Sequence, residues 1–289
     1  MLSRESEKIT GGIPVDQETV TLKIPGLTRT YTFFHTSDAH VEIALETDAE
    51  GGKQRAEYAA EKYTNEGSNI PASTLLNAIR TADEAKADGL FLCGDIGDHY
   101  TEGTIQFIRA ALKEAKTEVF YVMGNHECAG AEDKGSARQT FAEMMFGCPD
   151  FWARDLGEIL IVGLDNSDKY YTEEQFAFLN EQIAKNKPIL LLMHAPLMTD
   201  AIIDPVKEKW SEEMGAGACD YFLIDRPEDT SHPYRRFWDL VQNPENHIMA
   251  IFAGHVHLSN DGEFAPGKRQ YTMVPTYMGE IRKVIVTGE

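Results

Sequence analysis

Leu90-Phe91-Leu92-Cys93-Gly94-Asp95-Ile96-Gly97-Asp98-His99 is an apolar run that breaks into a glycine turn carrying two acidic residues. A short apolar run bounded by glycine reads as a buried strand. Functional groups in open α/β sheets lie just beyond the carboxyl ends of such strands, so Asp95 stands at a strand tip. On both sides the pattern turns helical. Upstream, Pro71 takes the favoured first-turn position of a helix in which Leu75, Leu76, Ile79 and Ala82 form an apolar stripe. Downstream, Ile105, Ile108, Leu112 and Ala115 recur at helical spacing.

The same plan repeats along the chain. Residues 30–36 alternate, with Tyr31, Phe33 and His35 on one face, and end in Ser37-Asp38-Ala39-His40. Residues 119–123 end in Gly124-Asn125-His126-Glu127, residues 189–193 in His194-Ala195-Pro196, and residues 247–253 in Gly254-His255-Val256-His257. Further strands are expected at 19–24, as an edge, and at 159–164, 271–274 and 283–287. Helices are expected near 55–63 and at 139–146 and 234–242, and Thr172-Glu173-Glu174-Gln175 has the form of a capping box. Turn signals stand at Gly11-Gly12 and Pro25-Gly26. Helices and strands alternate early and strands dominate late, which favours a layered α/β sandwich over a closed barrel. One domain over residues 1–289 is expected, with insertions near 41–70 and 197–233 beside the strand tips. The second shows no strong period and reads as an irregular lid or binding loop.

Composition narrows the function. The chain is 42% hydrophobic and 26% charged, an ordinary globular balance. Its formal charge of -20 would repel a polyanion, which argues against duplex nucleic acid or a membrane surface as partner. An anionic small molecule stays compatible if bound cations offset the charge locally. The apolar runs are too short to span a bilayer, and residues 1–10 lack the apolar core of a secretory signal, so a cytoplasmic location is expected. Cys93, Cys128, Cys148 and Cys219 form no Cys-x-x-Cys pair and read as reduced thiols.

Five strand tips carry Asp, Asn or His: Asp38 with His40, Asp95 with Asp98, Asn125 with His126, His194, and His255 with His257. Each is weak evidence alone, since a lone histidine is more often structural. The joint pattern is hard to assign to packing. Imidazole, carboxylate and carboxamide together suit borderline and hard divalent metals. The i, i+2 pairs put both side chains on one face of an extended segment, and the glycines before Asp95, Asn125 and His255 permit close backbone approach.

The ordered set Asp-x-His, Gly-Asp-x-x-Asp, Gly-Asn-His-Glu, an isolated His and Gly-His-x-His resembles the calcineurin-like metallophosphoesterases, from Asp38 to His257. The resemblance implies a four-layer α/β/β/α sandwich of two mixed sheets flanked by helices, and a dinuclear centre of Mn, Fe or Zn. It also implies hydrolysis of a small phosphomonoester or phosphodiester by in-line attack of a metal-bridging hydroxide. On that pattern Asp38, His40 and His257 hold one metal, Asn125, His194 and His255 the other, and Asp95 bridges them. His126 stabilises the transition state or protonates the leaving oxygen, and Asp98 orients His126. Two alternatives from other classes are a non-catalytic binding scaffold on the same fold and a metal-dependent nuclease.

Phosphoprotein phosphatases of the family follow the second Asp with Arg-Gly, whereas Asp98 precedes His99-Tyr100, and purple acid phosphatases place a tyrosine ligand at the Asp98 position. The spacing is similar to the bacterial phosphodiesterase and small phosphatase branches. His99 is the candidate to meet substrate in the arginine's place. Glu127 either supports its loop or forms an ion pair or helix-terminal contact. His35, His232 and His247 read as structural, and Trp210 as core or pocket lining.

Overall fold

The structure, a computed structural model, describes residues 16–62 and 71–288. The expected turn at Gly11-Gly12 and the later part of the first insertion lie outside the described residues.

Among the described residues eleven strands form two mixed sheets. The first has the order β1 (Asp16–Lys23), β11 (Glu280–Thr287), β2 (Tyr31–Thr36), β3 (Gly89–Cys93), β4 (Val119–Val122). The second has the order β5 (Phe151–Asp155), β6 (Leu160–Leu164), β7 (Ile189–Leu192), β8 (Ile248–Phe252), β10 (Lys268–Thr272), β9 (Asn260–Ala265). Within the first, β2, β3 and β4 run parallel while β11 is antiparallel to β2. In the second, β6, β7, β8 and β10 are parallel and the two edges are antiparallel.

Strand alternation sorts the side chains into layers. Phe33, His35, Phe91 and Cys93 point from the first sheet toward the second, where Phe91 meets Phe252 with ring centres 5.1 Å apart and His35 meets it at 5.2 Å. His35 donates from Nε2 to the Ala253 carbonyl at 3.1 Å, so it is a buried structural link between the sheets. The outer face of the second sheet carries Leu160, Val162, Ile189 and Leu191, which pack with Phe176 and Leu179 of α5 (Glu173–Ile183) and Phe237 and Trp238 of α8 (Pro233–Gln242). On the far side of the first sheet lie α2 (Pro71–Glu84) and α3 (Glu102–Glu114), which bury Leu75, Ile79, Ile105 and Ile108. These four layers are the expected α/β/β/α sandwich.

Local chemistry sets most boundaries. The capping box at α5 is complete: Thr172 Oγ1 accepts from Gln175 N at 3.1 Å, and the Gln175 side chain accepts from Thr172 N at 2.9 Å. The remaining helices are α1 (Glu50–Lys62), α4 (Lys134–Ala142), α6 (Asp200–Met214) and α7 (Ala218–Phe222).

Three expectations need correction. The helix expected at 139–146 starts at Lys134 because the Asp133 carboxylate caps it, accepting from Gly135 N at 3.0 Å. β5 and β9 were not expected; both are sheet edges, where half-exposed polar residues hide a strand's apolar signature. The segment 197–233, expected to be irregular, is mainly α6 and α7. Ile202, Val206, Trp210 and Met214 recur every fourth residue and pack with Phe222 and Val256. That single-file stripe is narrow, and Pro205 inside the helix breaks its local propensity.

Candidate metal centre and its cavity

The five strand tips converge at the carboxyl ends of β2, β3, β4, β7 and β8. Asp38, His40, Asp95, His194 and His255 are buried, and Asn125, His126 and His257 are partly so. Donor atoms of Asp38, His40 and His257 lie within 4.8 Å of one another, as do those of Asp95, His194 and His255. A third set, His40, Asp95 and His126, overlaps both through His40 and Asp95. Asn125 Oδ1 is 3.2 Å from His194 Nε2, and so is Asp95 Oδ2.

The backbone is strained where these residues sit. Asp38, His40, Asp95, His255 and His257 all adopt positive φ, between 49° and 68°, a region non-glycine residues rarely occupy. The strain is held by the loops bonding to each other. Asp38 N donates to the Gly94 carbonyl at 2.9 Å, His40 N to the Asp95 carbonyl at 2.9 Å, and His255 N to the Asp38 carboxylate at 3.0 Å. Two glycines admit this closeness. A Cβ at Gly94, itself at φ +85°, would overlap the His194 ring, and one at Gly124 would overlap the Asp95 carboxylate.

Buried acceptors hold the loops from beneath. The Glu127 carboxylate accepts from Ile96 N at 2.8 Å, Gly124 N at 2.8 Å, Asp95 N at 3.2 Å and Tyr121 Oη at 2.7 Å. It is the loop support, and it ties the Asp95 turn to the Asn125 turn. Burial and the nearby Asp95 charge push its pKa up to about 7. Asn166 plays the matching part under His194: its Oδ1 accepts from His194 N at 2.9 Å and Ala195 N at 3.0 Å. Sequence reasoning missed Asn166, although Asp165-Asn166 follows β6 as the other polar clusters follow their strands.

Hydrogen bonds fix which ring nitrogen faces the centre. His40 Nδ1 donates to Asp98 Oδ1 at 2.8 Å, and His194 Nδ1 donates to the Cys93 carbonyl at 2.8 Å. Burial first, and then the neighbouring His257, keep the His40 pKa low and the ring neutral, so its Nε2 presents a lone pair. That Nε2 lies 3.0 Å from His257 Nε2. The His194 Nε2 faces two oxygens instead. Ring nitrogens and oxygens able to ligate a cation thus converge, an arrangement that a positive centre between them would satisfy. His194 registers the same demand: burial opposes its protonation, yet Asp95 and then Asp38 raise its pKa to about 10. Asp38 is held down to about 2, His257 overcoming the effect of burial. The donor set of carboxylate, carboxamide and imidazole fits Mn, Fe or Zn.

His126 and Asp98 sit beside this cluster. His126 Nδ1 donates to the Asp98 carbonyl at 2.9 Å and lies 3.1 Å from its carboxylate, and His126 N donates to Asp95 Oδ1 at 2.8 Å. Burial lowers the His126 pKa, but Asp95 and Asp98 together raise it to about 9. Asp98 also serves His40, and its carboxylate takes the guanidinium of Arg55 through Nε and, at 2.9 Å, through Nη2. Arg55 was not singled out from the sequence, because the polar segment around it offers no motif. His99 does not face the cavity. Its ring lies against Gly130, whose lack of a Cβ makes room for it.

Above the centre lies a cavity of about 310 Å³. Its floor includes His40, Asp95, Asn125, His126, His255 and His257. One wall is α1, with Arg55 and Lys62; the other is α6 and α7, with Trp210, Glu213, Met214, Tyr221 and Phe222, and Tyr277 closes the side. Trp210 is therefore both packed and cavity-lining, its Nε1 donating to the Val256 carbonyl at 2.9 Å.

Residues 31–259 match the family described as calcineurin-like phosphoesterase. A curated relative, a probable cyclic nucleotide phosphodiesterase from Fibrobacter succinogenes, is 25% identical over 122 residues. The match covers 42% of this chain and 46% of that protein, less than half its length. Similar solved structures include a dimetal phosphatase from Danio rerio, with 14% identity, a TM-score of 0.46 and coverage of 86% of this chain and 88% of that one. Another is a 5'-nucleotidase from Candida albicans, with 13% identity, a TM-score of 0.46 and coverage of 92% and 47% respectively. Among the described residues no helix is long and apolar enough to cross a membrane. With the family match running from the start of β2 to just past the last donor histidine, the chain belongs to the calcineurin-like phosphoesterase family.

Proposed function

We propose that this protein is a dinuclear metal-dependent phosphoesterase that hydrolyses a small phosphomonoester or phosphodiester. The observation that carries the reading is the pair of donor clusters, Asp38, His40 and His257 beside Asp95, His194 and His255, joined by the overlapping set of His40, Asp95 and His126. Asp38, His40 and His257 would hold one ion, Asn125, His194 and His255 the other, and Asp95 both. Two such ions, when bound, supply Lewis-acid neutralisation of the phosphoryl charge and activate water at neutral pH.

The chain's own groups supply the rest. With Nδ1 tied to Asp98, His126 presents Nε2 toward the cavity and is placed to give a proton to the leaving oxygen. Asp98 fixes the tautomer of both His40 and His126, and Arg55 anchors Asp98. We read the chain as one metallophosphoesterase domain whose insertions near 41–70 and 197–233 bring α1 and α6–α7 over the site, limiting it to a small ester.

The test is to strip the protein with a chelator, reload it with Mn, Fe or Zn, and screen aryl phosphomonoesters and diesters. Hydrolysis with at least one metal, abolished by chelator, is expected. Stoichiometric metal without hydrolysis of any ester would leave the binding scaffold as the better reading.

A further inference from the structure

We infer that the α6–α7 wall selects esters whose leaving group carries a flat aromatic ring, and that this ring stacks on Tyr221. The inference rests on the phosphoesterase reading of the floor and adds the substrate class.

Tyr221 is 46% exposed yet lines the cavity, whereas the aromatic ring next to it in the chain, Phe222, is buried at 6%. The Tyr221 ring stands edge-on to Phe222, with centres 4.9 Å apart and an interplanar angle of 85°, and lies tilted over His255 at 5.7 Å. Trp210 stacks behind Phe222 at 4.6 Å and meets His257 edge-on at 5.6 Å. The wall is therefore a continuous aromatic surface that begins at two of the proposed metal ligands and ends in the half-exposed ring of Tyr221.

That surface is held in position. Lys209 Nζ donates to the His257 carbonyl at 2.6 Å, Trp210 Nε1 to the Val256 carbonyl, and His255 Nε2 to the Tyr221 carbonyl at 3.4 Å. The wall is thus bonded to the backbone of the same Gly-His-x-His loop that faces the metals. A ring on Tyr221 would meet a surface whose distance from the phosphoryl group is already set, and ordering costs are small for such a site.

Charge decides between a flat neutral ring and a cationic head group, which aromatic walls also attract. Glu213 in the wall would favour a cation. However, Lys169 Nζ already lies 5.1 Å from the Tyr221 ring centre, and Lys209 Nζ 5.5 Å from that of Trp210. Those two ammonium groups, near Asp220, Asp225 and Asp38, already occupy the places over the rings that a cationic head group would take. A neutral ring gains stacking without the repulsion that a cation would meet from them.

The test uses phenylphosphonate, propylphosphonate and a nucleoside 5'-phosphonate, whose C–P bonds resist phosphoester hydrolysis. Their affinities for the protein in excess Mn²⁺ are measured by calorimetry for wild type, Tyr221→Ala and Tyr221→Phe. Wild type is expected to prefer the phenyl over the propyl compound by about tenfold, the preference to vanish in Tyr221→Ala, and Tyr221→Phe to keep it. A phenyl-to-propyl ratio near one in wild type, or unchanged in Tyr221→Ala, overturns the inference. Tighter binding of the nucleoside compound than of the phenyl one supports it and identifies the ring as a base; the reverse order supports it and identifies a simple aryl group. Turnover of the matching esters is followed in parallel. An aromatic preference without turnover defeats the phosphoesterase reading alone, and turnover without the preference defeats this inference alone.

Discussion

The floor of the cavity is made of strand-tip loops strained into positive φ and pinned by the buried carboxylate of Glu127 and the amide of Asn166. Its walls are helices in ordinary geometry, α1 and α6–α7, that touch the floor through a few side chains such as Arg55, Lys209 and Trp210. Strain persists only where surrounding contacts over-determine it, so the floor has little freedom to change without losing its donors. The α6–α7 wall can exchange exposed residues such as Glu213 and Tyr221 while Ile202, Val206 and Phe222 stay packed. Under the proposed function, the contrast assigns reaction and substrate choice to different parts of the molecule.

The largest effect is expected from Asp95, which lies in the donor set with His194 and His255 and in the overlapping set with His40 and His126. Asp95→Asn removes the central negative charge, and with it several kcal/mol of transition-state stabilisation. Activity should fall by more than about 10³-fold, and metal measured by elemental analysis should fall with it. Retention of full metal content by this variant would show that the floor does not act as one unit.

His126→Ala separates chemistry from metal binding within the floor. Metal content should stay while the rate drops by about 10²- to 10⁴-fold, the range for loss of a positioned general acid. The metal-free protein gives a second reading through pH. The folded-state pKa of His126, about 9, exceeds its ordinary value of 6.5. The proton is therefore bound more tightly in the fold, and the stabilisation it lends is complete below pH about 6.5 and lost as pH rises through about 9. The difference in Tm between wild type and His126→Ala, both stripped of metal, should be larger at pH 6 than at pH 10. An equal difference at both would contradict the proposed grip of Asp95 and Asp98 on this ring.

Glu127→Gln tests the support beneath the floor. The amide NH₂ would face the Gly124 or Asp95 N–H, donor against donor, in a fully buried position. Metal affinity should weaken by about 10- to 100-fold, as for other groups that orient ligands, while activity at saturating metal recovers most of its wild-type value. A loss that saturating metal cannot restore would instead place Glu127 in the reaction.

The same division explains what could be read from the chain. The strand tips were legible because each short run ends in a polar donor, with a glycine before it at Asp95, Asn125 and His255, and local sequence carries that whole signal. The α5 capping box and the α2 stripe were legible for the same reason. Arg55 and Tyr221 were not, since nothing near them in the chain says that their helices fold back over the centre. Asn166 sits between these cases. It follows a strand like the others but acts through backbone amides, a role that residue type alone does not reveal.

The smallest effects should come from a place where wall and floor are joined by an ion pair. Arg55 meets Asp98 with two nitrogens, whereas His99, the next residue after Asp98, turns its ring away to Gly130. Arg55→Lys keeps the charge but loses the planar fork, so Asp98 would hold His40 and His126 less firmly. A drop of about tenfold in kcat with metal retained is expected, in the lower range for groups that orient others. His99→Ala should change kcat/KM by less than about twofold, as surface substitutions away from special contacts usually do. If the two variants exchanged these outcomes, His99 would be the residue that substitutes for the missing Arg-Gly arginine. The wall helix α1 would then be a bystander to the chemistry.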